Sequence, residues 1–150
     1  GTENVPLIGA FAEALMEAQK SCEENAKRIS RTRDFLLQEI KTALPEVQVN
    51  GSMEHRAPNN LNIGIPGLIG ERAVIALSAY GISSSTRSAC AAKEEELSHV
   101  IRALGVGDTR AREAVRFTLL PSATKGEMKE IARGLAKAAS KYRNIDILPL

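Results

Sequence analysis

Between Pro6 and Pro45 the apolar residues keep a helical spacing, and this long helical stretch constrains everything that follows it. Leu7, Phe11, Leu15 and Met16 form one periodic set. Ile29, Phe35, Leu36 and Ile40 form a second that runs to Leu44, where Pro45 ends it. Pro6 suits the first turn, because its missing N–H is not needed there and its backbone angle is already helical. The two sets predict two consecutive helices or one bent helix, broken near Ser21, with Cys22 as a packing residue at the break.

Downstream the pattern changes to short extended segments separated by turns. Glu46 to Asn50 alternates and ends in the turn dipeptide Asn50-Gly51. Asn59 to Ile65 places Leu61, Ile63 and Ile65 on one face. Pro66-Gly67 reads as a turn, and Gly70-Glu71 opens a helix carrying Val74, Ile75, Leu77 and Ser78 toward Tyr80, with Gly81 as its stop. Ile82 to Ser84 is a short strand, and Leu97, Val100, Ile101 and Leu104 mark a short amphipathic helix. Ala114 to Leu119 is a strand interrupted by Arg116. Thr124-Lys125-Gly126-Glu127 is a capping box opening a last helix with Met128, Ile131, Leu135 and Ala138 on one side. Beyond Tyr142 no motif is visible. The order predicts an α/β fold: a small three- to four-stranded sheet with helices packed on it, preceded by a long N-terminal helix.

A chain of 150 residues with 20 basic and 18 acidic side chains has no electrostatic footprint for nucleic acid or an anionic membrane. No run is apolar enough to span a bilayer, and no secretory signal is visible. Two cysteines, Cys22 and Cys90, fit neither a zinc spacing nor a disulfide framework, which suits a reducing cytoplasm. Glu94, Glu95 and Glu96 read as a solvated face that favours a helix N-terminus, not as a metal site. His55 and His99 are assigned no role.

Cys90 stands on a run of small and hydroxyl residues, Ser83 to Ser88, which makes a poor core strand and a good loop. A free cysteine is most often a small buried apolar residue. A thiol that reacts does so as the thiolate, helped by exposure and nearby positive charge, and Arg87 and Lys93 each lie three residues from Cys90. Arg116, within a strand, either reaches the sheet edge or meets an anion, and its planar fork best fits a carboxylate.

Gly81-Ile82, Ser88-Ala89-Cys90, Ser98-His99-Val100 and Arg102-Ala103-Leu104-Gly105 resemble, at the same spacing, the active-site loop of the cysteine desulfurases, class V aminotransferase relatives among the fold type I pyridoxal-phosphate enzymes. Arg56-Ala57-Pro58-Asn59, Gly70-Glu71 and Val115-Arg116-Phe117 resemble further family segments, and Gly1-Thr2-Glu3-Asn4 resembles the one that follows the cofactor domain. Arg87 stands where the family usually has glycine, and Leu120-Pro121 where it usually has Gly-Arg.

The resemblance implies the C-terminal portion of a longer enzyme. Residues 1–20 would be the end of the large cofactor domain and its connecting helix, and residues 21–150 the small domain carrying the cysteine loop. It implies Cys90 as the nucleophile that takes sulfur from L-cysteine, leaving a persulfide and releasing L-alanine. Arg116 would grip the substrate carboxylate, and Thr2 would reach a cofactor phosphate across a homodimer interface. Pyridoxal phosphate would be held by a lysine upstream of the matched residues, so the chain alone is expected to be inactive. A sulfur-acceptor or scaffold protein is the implied partner. Two alternatives stay open: a selenocysteine lyase or related pyridoxal-phosphate lyase, and a stand-alone sulfur-relay or interaction domain.

Overall fold

In the computed structural model, which describes residues 2–86 and 97–143, one 39-residue helix, α1 (Val5–Ala43), dominates the N-terminal third. The Asn4 side chain accepts a hydrogen bond from the Leu7 N–H and caps its start, with Pro6 in the first turn. The break expected near Ser21 does not occur. Glu17 to Lys27 contains neither glycine nor proline, Lys20–Glu17 and Lys27–Glu23 pair along the surface, and the Ser21 hydroxyl bonds back to the Glu17 and Ala18 carbonyls while the helix continues. Cys22 is exposed on this helix and is not a packing residue. A run of helix formers has no reason to break where its apolar stripe merely lapses.

Strands β1 (Gln48–Val49), β2 (Asn60–Gly64) and β3 (Ala114–Thr118) form an antiparallel sheet in the order β1-β2-β3. The strand expected at Ile82–Ser84 is reduced to a single bridge, in which Ser85 pairs with Arg116 on the free edge of β3. Helices α2 (Gly70–Ser78), α3 (His99–Ala103), α4 (Asp108–Arg112) and α5 (Lys125–Tyr142) complete the described residues. The short α4 carries no periodic signal of its own in the sequence.

The pleat divides the sheet sharply. Leu61, Ile63, Val115 and Phe117 turn to one face, all essentially without solvent contact, and pack with Leu36 and Ile40 of α1, Leu77 of α2, and Met128 and Leu135 of α5. A second, smaller cluster of Ile101, Ala111 and Ala114, with Leu97 and Val106 against it, places α3 and α4 at one end of the sheet.

Turn chemistry fixes how these layers meet. Gly81 takes φ +74°, its N–H bonds to the Ser78 carbonyl and the Ile82 N–H to the Leu77 carbonyl, closing α2. Gly70 permits a close approach: a Cβ there would lie 2.3 Å from the Ala114 carbonyl oxygen and 3.0 Å from Thr86 Cγ2. The start of α2 is thereby seated against the start of β3 and the residue where the Cys90 segment departs. The capping box of α5 forms in full, Thr124 Oγ1 accepting from the Glu127 N–H at 3.3 Å and Glu127 Oε2 accepting from the Thr124 N–H at 2.6 Å.

The N-terminal half of α1 contrasts with this core. Its first buried residue is Ile29, whereas Val5 and Phe11 are each 69% exposed and Leu7, Ile8, Leu15 and Met16 also face solvent. Residues 5–20 are all exposed, and at 1.5 Å per residue they make roughly 24 Å of helix.

Candidate functional site

The sheet face opposite the core is polar because alternation puts Asn62 out where Leu61 and Ile63 go in, and Arg116 out where Val115 and Phe117 go in. Asn62 is the register partner of Arg116, and Arg116 exchanges both backbone hydrogen bonds with Ser85 on its other side, at 2.6 and 3.1 Å. On the far side of β2, the Asn50 N–H bonds to the Asn62 carbonyl at 2.9 Å. Asn50, Asn62, Arg116 and Ser85 therefore form one row across the sheet, with side chains on the same face.

Since the backbone groups of Arg116 point to Ser85, and the carbonyl of Asn62 points to Asn50, Asn62 and Arg116 are a non-hydrogen-bonded antiparallel pair. That is the pairing in which opposed side chains come closest. Among the described residues the Arg116 guanidinium has no hydrogen-bond or ion-pair partner, and the residue is half-buried. An unpaired guanidinium on a partly desolvated face is suited to bind an anion, a carboxylate above all.

The other arginines nearby are engaged in structure. Arg56 donates to the Ser52 and Asn50 carbonyls, both at 2.6 Å, and to the Asn60 carbonyl at 3.4 Å, knitting the loop between β1 and β2. Burial lowers its pKa from the ordinary guanidinium value, and Arg33 adds to that. Arg110 lies across β1 and β2, its Nε donating to Asn50 Oδ1 at 2.7 Å and its Nη2 to the Val49 carbonyl at 2.6 Å. Asn50, only 2% exposed, passes the contact on through Nδ2 to Asn62 Oδ1 at 2.8 Å.

The segment holding Cys90, with Arg87 and Lys93, lies outside the described residues, but both of its roots are defined. Ser85 and Thr86, on the N-terminal side, stand beside Arg116 and Gly70. Leu97, on the C-terminal side, packs in the cluster that contains Ala114, the first residue of β3. The sequence from Thr86 to Leu97 thus leaves and returns beside one strand, the strand of Arg116.

Thr2 is not brought to this face. It is exposed ahead of α1, a helix that meets the core only at Ile29. His55 and His99 are exposed as well. Among the described residues no group of three or more histidine, cysteine, aspartate or glutamate side chains could hold a metal ion, and no helix is long and apolar enough to cross a membrane. Asn50, Asn62 and Arg110 were not singled out by the sequence. Their only signal was alternation, which puts Asn62 on the non-core face of β2.

No family model matches the chain. The cysteine desulfurase of Nostoc sp. (strain PCC 7120) is 34% identical over 143 residues, 95% of this chain and 36% of that protein. The cysteine desulfurase IscS of Ehrlichia chaffeensis is 34% identical over 148 residues, 99% of this chain and again 36% of the relative. Among solved structures, a NifS-like protein superposes with a TM-score of 0.77 at 27% identity, covering 94% of this chain and 35% of that one. A NifS-like protein from Rickettsia africae, at 24% identity and a TM-score of 0.67, shares the fold.

The fold is that of a segment of a NifS-like protein. The chain belongs to the cysteine desulfurase family, and it spans about 36% of the length of the relatives it matches.

Proposed function

We propose that this chain is the C-terminal portion of a pyridoxal-phosphate-dependent cysteine desulfurase, which removes sulfur from L-cysteine and releases L-alanine. The observation that carries the reading is the placement of Arg116. Its guanidinium, without a hydrogen-bond or ion-pair partner among the described residues, stands on a polar sheet face, and its backbone pairs with Ser85, five residues before Cys90. A substrate held by its carboxylate at Arg116 would lie beside Ser85, at the N-terminal root of the segment that carries Cys90.

In this reading the Cys90 thiolate attacks the substrate sulfur. A sulfur–sulfur bond forms, the substrate carbon–sulfur bond breaks, and its electron pair stays with the substrate carbon, which takes up a proton to become the methyl group of alanine. The persulfide on Cys90 is then open to attack by an acceptor thiol. Arg87 and Lys93 favour the thiolate by charge. Bound pyridoxal phosphate would supply the electron withdrawal that makes the substrate sulfur electrophilic.

The donor set of the described residues fits that cofactor only at its edge. Thr2 offers an exposed hydroxyl to one phosphate oxygen, and the lysine that holds the cofactor falls upstream of the matched motifs. Activity therefore belongs to the longer protein, a homodimer in the cytoplasm that passes sulfur to an acceptor or scaffold for iron–sulfur cluster assembly or other sulfur transfer. Residues 1–20 belong with the large domain, and the uncovered apolar side chains of α1 supply the surface for it.

The test is alanine and sulfide release from L-cysteine by the full-length gene product and its Cys90→Ala variant. Alanine formation that disappears with Cys90 supports the reading. Absence of turnover in a folded, cofactor-loaded protein overturns it.

A further inference from the structure

The hydrogen-bond chain behind Arg116 has a direction. An arginine Nε can only donate, so the Asn50 atom that meets Arg110 at 2.7 Å is Oδ1. The other end of the Asn50 amide is then its NH₂, and the atom of Asn62 that meets it at 2.8 Å is Oδ1. The orientation of the Asn62 amide is thus dictated by Arg110 through Asn50, and its Nδ2 is left pointing away from Asn50. Among the described residues nothing accepts a hydrogen bond from that Nδ2. Asn62 is the close, non-hydrogen-bonded partner of Arg116 on the same face.

We infer that Asn62 Nδ2 and the Arg116 guanidinium form a single carboxylate-binding pair, with Asn62 as a second substrate-binding residue and Arg110 and Asn50 as positioning residues that hold its amide with the donor outward. The ligand class is a small α-amino acid bound by its carboxylate. Naming L-cysteine as that ligand rests on the proposed function, whereas the donor pair does not.

Two measurements separate the inference from that reading. In the first, the side-chain amide signals of Asn62 and the Nε signal of Arg116 are followed by NMR in this chain as L-alanine or L-alaninamide is added. Both side chains respond to L-alanine and neither to the amide if they form one pair. Asn62 signals that stay fixed with L-alanine overturn the inference, whether or not Arg116 moves. This readout needs no cofactor and no turnover.

In the second, the full-length protein carries Asn62→Asp, which replaces the donor by an acceptor of like size and sets an anion beside Arg116. Loss of a hydrogen bond to a charged group predicts a KM for L-cysteine raised roughly tenfold or more, with little change in kcat. Arg110→Leu, which frees the Asn50 amide to turn, raises KM in the same sense by a smaller factor. A purely structural role for Asn62 would lower thermal stability and kcat while leaving KM in place, and that result overturns the inference. A wild-type protein without turnover defeats the desulfurase reading alone, because the NMR titration still decides the pair.

Discussion

Asn62 and Arg116 oppose each other across β2 and β3 with their backbone hydrogen bonds directed outward, to Asn50 on one side and Ser85 on the other. This makes Arg116 the meeting point of two systems, the polar row behind it and the root of the Cys90 segment beside it. Its backbone serves the fold, while its side chain has no hydrogen-bond or ion-pair partner among the described residues.

Arg116→Ala should therefore separate function from stability. The side chain makes no hydrogen bond or ion pair among the described residues, so its loss leaves the melting temperature close to wild type. A charged hydrogen-bonding pair contributes about 1.5–3 kcal/mol, so KM for L-cysteine in the full-length protein rises by roughly one to two orders of magnitude. Arg116→Lys restores charge but not the planar fork and recovers only part of the loss. Steady-state kinetics with a parallel thermal melt check both.

Gly70→Ala should be costly for the opposite reason. The new Cβ would meet a backbone oxygen, Ala114 O, at 2.3 Å, and a carbonyl cannot rotate out of the way as a side-chain end can. The helix must move off β3, and overpacking of this kind costs about 1–3 kcal/mol. Thr86 Cγ2, 3.0 Å from the same position, shifts with it, so the loop root moves as well. Urea unfolding gives the stability loss, and altered amide shifts for Ser85 and Thr86 would report the displaced root.

How much of this was legible beforehand follows from the kind of signal each part carries. The core strands were readable because Leu61, Ile63 and Ile65 alternate with polar residues, and the capping box because Thr124 and Glu127 stand at a fixed offset. Continuity of α1 through Ser21 was not, because a lapse in an apolar stripe looks the same whether a helix breaks or merely leaves the core. The role of Asn50 was hidden by the Asn50-Gly51 turn, which explains an asparagine without any tertiary partner. Arg110 acts over 60 residues of separation, which no local pattern reveals.

Acid should loosen the start of α5 before it unfolds the whole. Hydrogen bonds from the Thr124 N–H and, next, its hydroxyl hold the Glu127 carboxyl below the ordinary glutamate pKa. The folded pKa is depressed, so this contribution to stability is complete above the unfolded value of about 4.3 and is lost as pH falls through the lower folded value. Glu46 behaves alike: its own backbone N–H lowers its pKa against the opposing effect of burial, and Arg143 lowers it further. Glu127→Gln cannot titrate, so its stability falls less steeply below pH ~4 than that of wild type. Urea midpoints measured through this range test the difference in slope.

The exposed half of α1 gives the last expectation. Helices in water draw most of their stability from packing, and residues 5–20 have none from the rest of the described chain, while Ile29, Leu36 and Ile40 are locked in the core. Amide exchange in the 150-residue chain should thus be fast before Lys20 and slow from Ile29 to Ile40. On the proposal that residues 1–20 belong with a large domain, Phe11 and Leu15 should be covered in the full-length protein and exchange across residues 5–20 should slow to approach that of the core. Phe11→Asp should leave the isolated chain close to wild type in stability, because the residue is 69% exposed there, yet on the same proposal weaken the full-length protein by about 3–5 kcal/mol, the range for losing a buried aromatic. Equal, fast exchange of residues 5–20 in both forms would place the domain boundary elsewhere on the helix.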